Sequence, residues 1–155
     1  MSQAAQPEKV EIEAKDILLR RVPFLDPNYV KHDGTVSSFA FTLRKRNGIR
    51  ENALSVDLER LATYERSIKK ASEFRLYSLS VSSARDLVLS VCHDPCPKEE
   101  PDNNAHTLIS GTTGRPADCT DSTPNGRKDA PVTINERLSK LLARASQRVN
   151  YPDRS

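Results

Sequence analysis

A chain of 155 residues is one domain's worth of sequence, long enough to bury roughly two thirds of its unfolded surface. Apolar residues make up 36% and charged residues 29%, but 24 basic against 21 acidic side chains leave a net charge of only +3. These proportions exclude a collagen-like, coiled-coil or membrane-spanning chain and fit a small domain that carries some unstructured polar sequence.

Residues 1–8 are polar and expected to form a flexible N-terminus. The opening MSQAAQPEKVEIEAKD has neither the apolar stretch of a secretory signal nor the arginines of a transit peptide, so a cytoplasmic chain without membrane association is expected. Ile17 to Val22 reads as a strand stopped by Pro23, and Phe24 to Asn28 and Asp33-Gly34 read as turns. Val36 to Leu43 suits a strand or a short helix, and Arg44 to Gly48 a basic loop. Ala53 to Leu58 alternates like a half-buried strand. Thr63 caps a helix opening at Tyr64, with Leu61, Tyr64, Ile68 and Ala71 on one face. Arg75 to Val81 alternates again, Ser83 to Leu87 is one helical turn, and Leu87 to Cys92 and Ala105 to Ile109 are strands, the last closed by Gly111.

Residues 112–131 hold only Ala117, Cys119 and Ala130 as apolar marks, too few to offset the entropy of ordering, and read as a mobile loop. Thr133 to Glu136 has capping-box spacing. Leu138, Leu141, Leu142, Ala145 and Val149 form an apolar stripe that predicts a helix over 134–149. The expectation is an α+β fold: a small mixed or mainly antiparallel sheet of four or five strands with two main helices, the last C-terminal and amphipathic. Residues 9–150 form a single domain and 151–155 a tail.

The motif order resembles that of a group of small uncharacterised bacterial proteins with no established activity. The residues that carry the likeness are Leu18 to Pro23, Gly34 to Phe41, Leu54 to Asp57, His93-Asp94-Pro95 and Asn104-Ala105-His106. The 112–131 segment departs from that group's more compact pattern. A second resemblance, to ADP-ribosyltransferase-like folds, rests on a basic residue in a first core strand, Arg20 or Arg21, and a serine on a strand soon after, Ser37 or Ser38. It implies nucleotide chemistry, although no acidic motif of the transferase type accompanies it.

The densest chemical group is Cys92-His93-Asp94-Pro95-Cys96, with His106 further on. If neighbouring strands bring His93 and His106 together, His93 is a candidate general base, with Asp94 or His106 orienting it and Arg20 or Arg21 assisting. The same residues serve equally as turn chemistry. Cys92, Cys96, His106 and Cys119 make a Cys3His set, but their spacing matches no standard zinc form, and neither a metal nor another cofactor is expected. With three cysteines a complete disulfide framework is not expected, and in a reducing compartment all three are thiols.

Arg137, Lys140, Arg144 and Arg148 recur along one face of the final helix, and Arg44, Lys45, Arg46 and Arg50 form a second basic cluster. Walker, GxGxxG, HExxH and GxSxG motifs are absent from the sequence. The leading expectation is a small accessory protein that binds a protein partner, or alternatively a nucleic acid, through these basic surfaces. The rival is an enzyme with its site at His93, Asp94, His106, Arg20 and Arg21. Oligomeric state is not legible.

Overall fold

In the computed structural model, which describes residues 9–96, 103–119, 121 and 128–150, the apolar run before Pro23 becomes β1 (Ile17–Pro23). A short ribbon follows, β2 (Lys45–Arg46) and β3 (Ile49–Arg50), and then β4 (Ala53–Leu58). Asn47 and Gly48 turn the ribbon with φ of 52° and 78°, the left-handed pair that tight hairpins favour. After α1 (Tyr64–Ile68) come β5 (Phe74–Ser80), α2 (Val81–Asp86), β6 (Ser90–His93) and β7 (His106–Ser110). The chain closes with α3 (Glu136–Ala145) and β8 (Gln147–Val149). Six strands form one sheet in the order β6-β7-β4-β1-β5-β8, and every pairing is antiparallel.

The α+β expectation holds at that level, but its counts do not. The sheet has six strands rather than four or five, and α3, with ten residues, is the one helix longer than six residues among those described. The apolar stripe over 134–149 does not stay helical. Ser146 Oγ folds back on Ala143 O at 2.8 Å, and the open edge of β5 then captures Gln147 to Val149 as a strand. Asn135 rather than Thr133 caps α3, its Oδ1 accepting from Leu138 N–H at 2.9 Å. Thr63 caps α1 as expected, but that helix stops at Ile68. Ser38–Phe41 is a single 3-10 turn capped by Ser37, not a strand.

One sheet face carries the main core. Leu18, Val22, Leu54, Leu58, Leu79, Val91 and Ile109 pack there with Phe41, Leu138 and Leu142. Among the described residues, the opposite face holds a small cluster of Leu19, Ile68 and Leu76 under α1. That asymmetry leaves part of the second face uncovered among the described residues. Asp16 braces the entry to β1, with Arg60 Nε at 2.8 Å from its Oδ1. Burial works against the Asp16 charge. The Arg60 hydrogen bond, the Glu13 N–H and the charges of Arg60 and Lys15 outweigh it and hold the carboxyl below its ordinary value.

Cys92 and Cys119 are joined in a disulfide, which overturns the expectation of three thiols; Cys96 is not in a disulfide. The bond ties β6 to the polar 112–131 segment. Other described parts of that segment are also fastened: Thr112 and Thr113 donate to the carbonyls of Pro131 and Val132, at 2.9 and 2.7 Å. Asp121 accepts from Val91 N–H at 2.6 Å and from Arg85 Nη2 at 2.8 Å. Residue 120, residues 122–127, the N-terminus 1–8 and the tail 151–155 lie outside the described residues. No described helix is long and apolar enough to cross a membrane.

Two outcomes follow. Replacing both Cys92 and Cys119 by serine removes a cross-link spanning 27 residues, and urea unfolding is expected to show a loss of about 3–4 kcal/mol. Because the Asp16 carboxyl is lowered in the folded state, its contribution is present above the ordinary carboxylate range and is lost as pH falls through that range. Asp16→Asn should therefore destabilise the protein at neutral pH and reduce the difference in unfolding midpoint between neutral and acid solution.

Candidate functional site

The uncovered sheet face opens where two central strands part. β1 and β4 are paired at only two positions, Leu18 with Leu58 and Leu19 with Asp57. Beyond them β1 follows β5 for its full length while β4 follows β7. A cavity of about 470 Å³ occupies the resulting gap, lined by Leu19 to Pro23 on one side and Ser55 to Asp57 on the other.

Arg20 bridges the gap. Its Nε donates to Ala40 O at 2.9 Å and its Nη1 to Ser55 O at 2.7 Å, so a guanidinium serves a β4 carbonyl beyond the last paired position. Alternation puts Arg20 on the main-core face of β1 and Arg21 on the other, yet both line the cavity because it sits between the faces. Arg21 Nη1 donates to Ser67 O at 3.3 Å, and its guanidinium lies 5.3 Å from the centre of the Phe74 ring. Arg44 also lines the cavity, held 4.4 Å from the Tyr29 ring and 4.3 Å from the Phe39 ring, whose centroids are 5.0 Å apart. Lys69 is the fourth cation. It has φ 59° and ψ −55°, and Lys70 N–H reaches Ile68 O at 2.6 Å, a γ-turn of the strained hand that only a surrounding structure can hold.

Against these four cations the lining holds two carboxylates, Glu51 and Asp57. Asp57 accepts from Ser67 Oγ at 2.7 Å and from Asn103 Nδ2 at 3.0 Å. His106, directly across from Asp57 in the sheet, completes the wall with Asn103. His106 Nδ1 lies 2.9 Å from Asp94 O and 3.1 Å from Asp94 Oδ2, which makes it the donor.

His93 does not join this group. It pairs with Thr107, the neighbour of His106, so the two histidines project from opposite faces of the sheet. Its Nδ1 accepts from Val10 N–H at 3.0 Å and its Nε2 donates to Asn104 O at 2.6 Å, and the ring is 5% exposed. This is a buried histidine with both nitrogens satisfied, so the anticipated His93–His106 pair does not form. Asp94, His106, Arg20 and Arg21 are associated with one region, His93 with another. The Cys3His set is likewise dismantled, since Cys92 and Cys119 are bonded to each other.

The basic clusters are also redistributed. Arg44 is a cavity residue, whereas Lys45 and Arg50 are exposed on the ribbon; the Arg46 side chain lies outside the described residues. Arg137, Lys140 and Arg144 share one face of α3, but Arg148 belongs to β8, opposite Tyr77. Lys140, Arg144 and Arg148 nevertheless meet Lys31 along an open groove of about 850 Å³. Ser37 and Ser38 line that groove rather than the cavity, so they do not accompany Arg20 and Arg21 as the ADP-ribosyltransferase likeness implies. Sequence reasoning did not anticipate Lys69, Asn103, Ser67 or Asp57 as lining residues. Only the Thr63 cap hinted at where Lys69 falls, just past a helix end.

No family model, no curated protein and no solved structure matches this chain.

The two arginines of β1 should behave differently when truncated. Arg20→Ala leaves the Ala40 and Ser55 carbonyls without their guanidinium donors and is expected to cost about 1–3 kcal/mol in urea unfolding. Arg21→Ala, which loses one long hydrogen bond and a ring contact, should cost about 1 kcal/mol or less.

Proposed function

We propose that this chain is a binding protein whose cavity between β1 and β4 takes a small ligand bearing a phosphate or carboxylate group. The observation that carries the reading is the convergence of Arg20, Arg21, Arg44 and Lys69 on one cavity. A volume of about 470 Å³ suits a small molecule rather than a folded partner. Arginine forks match phosphate and carboxylate oxygens in pairs, and the strained Lys69 backbone is the kind of outlier that gathers at ligand clamps. Asp57, on the same wall, is positioned by hydrogen bonds from Ser67 and Asn103.

The partner expected from sequence, a protein or nucleic acid bound at basic surfaces, keeps one observation in its favour: Lys31, Lys140, Arg144 and Arg148 line a single groove. An oxidising compartment is favoured over the cytoplasm, because a disulfide such as Cys92–Cys119 persists there.

Calorimetric titration with inorganic phosphate, pyrophosphate and small dicarboxylates tests the cavity. At least one should bind, and Arg21→Ala or Lys69→Ala should weaken it at least tenfold, while Lys140→Ala with Arg144→Ala leaves it unchanged. Failure of every probe to bind, or binding lost only in the α3 variant, sinks the cavity reading.

A further inference from the structure

The β6–β7 connection holds a second constellation, which shares only His106 with the cavity wall. Pairing continues past His93. Asp94 N–H donates to His106 O at 2.8 Å, and Cys96 and Asn103 exchange both backbone hydrogen bonds, at 2.8 and 2.9 Å. Alternation along an extended strand puts Asp94 and Cys96 on one face, and His106, across from Asp94, shares it. A carboxylate oxygen of Asp94, Cys96 Sγ and a ring nitrogen of His106 all lie within 4.8 Å of one another. His106 Nδ1 and Cys96 Sγ both turn toward Asp94 O, at 2.9 and 3.4 Å.

Metal–ligand bonds of about 2.0–2.3 Å place the ligands of a tetrahedral ion roughly 3.5 Å apart, so this trio needs only small side-chain adjustments to enclose one. The backbone beneath it is fixed independently. Asn103, paired to Cys96, anchors its amide on Asp57, which Ser67 also holds. All three ligands are partly exposed, which leaves a route of entry. A thiolate with an imidazole selects zinc-like ions over magnesium or calcium, which prefer oxygen alone.

We infer that Asp94, Cys96 and His106 form a mononuclear site for a divalent transition metal of the zinc class. Three protein ligands leave a fourth position open. Binding displaces the Cys96 thiol proton to solvent. The Nδ1 lone pair of neutral His106 goes to the metal, and the imidazole proton moves to Nε2. Cys92 and Cys119, locked together, take no part.

Cobalt titration of the metal-free, unreduced protein tests the site. The expected result is a thiolate-to-cobalt band in the near ultraviolet with tetrahedral visible bands, saturating at one ion per chain and abolished by zinc. Cys96→Ser should remove the near-ultraviolet band. His106→Ala should weaken cobalt binding at least tenfold, and His32→Ala should leave it unchanged. In the unsubstituted protein, zinc should also slow alkylation of Cys96 by iodoacetamide at least tenfold. The site is overturned if no saturable cobalt spectrum forms, if the band survives in Cys96→Ser, or if zinc leaves the alkylation rate unaltered.

Discussion

The separation of β1 from β4 after two paired residues is the constraint on which the candidate site depends. In an uninterrupted antiparallel sheet the next amides of β1 would meet the carbonyls of β4, leaving no room between them. Here Arg20 takes over part of that role with a side chain long enough to span the gap and still hydrogen-bond Ser55 O. A charged donor gives a stronger bond than an amide. The same guanidinium brings positive charge to the cavity it props open, so cavity and charge have one structural cause.

The unequal covering of the sheet determines where chemistry is displayed. The main-core face is sealed by α3 and the Ser38–Phe41 turn, with Ser139 Oγ donating to Phe41 O at 2.8 Å to join the two. Among the described residues, the other face is covered by α1 at one end. Side chains on that face opposite the main core, among them Ser55, Asp57 and His106, therefore border open space. Strand parity alone decides that His106 belongs with them while His93 is packed away.

Much of the sheet was legible because apolar alternation and its punctuation agree. Pro23 ends β1, Gly111 ends β7, and Ala53 to Leu58 carries its period into β4. What escaped were features set by partners distant in sequence. The stripe from Leu138 to Val149 is a good helical pattern, and only the free edge of β5 converts its end to a strand. The Cys92-His93-Asp94-Pro95-Cys96 run was visible as chemistry, but its division between two faces depends on the register with residues 103–107. The cavity itself was illegible, since no local pattern announces that two strands will diverge.

The disulfide and Asp121 have a consequence for the sheet's free rim. β6 ends the sheet on one side, and an end strand normally offers unpaired amides to any neighbouring chain. The Asp121 carboxylate instead takes the Val91 amide, and the Cys92–Cys119 bond keeps the covering segment in place. At the other end the three residues of β8 give little length to extend. Cys119 and Asp121 thus act as a selvedge: they finish this stretch of the fabric, so that the Val91 amide is no loose thread for a strand of another molecule to continue.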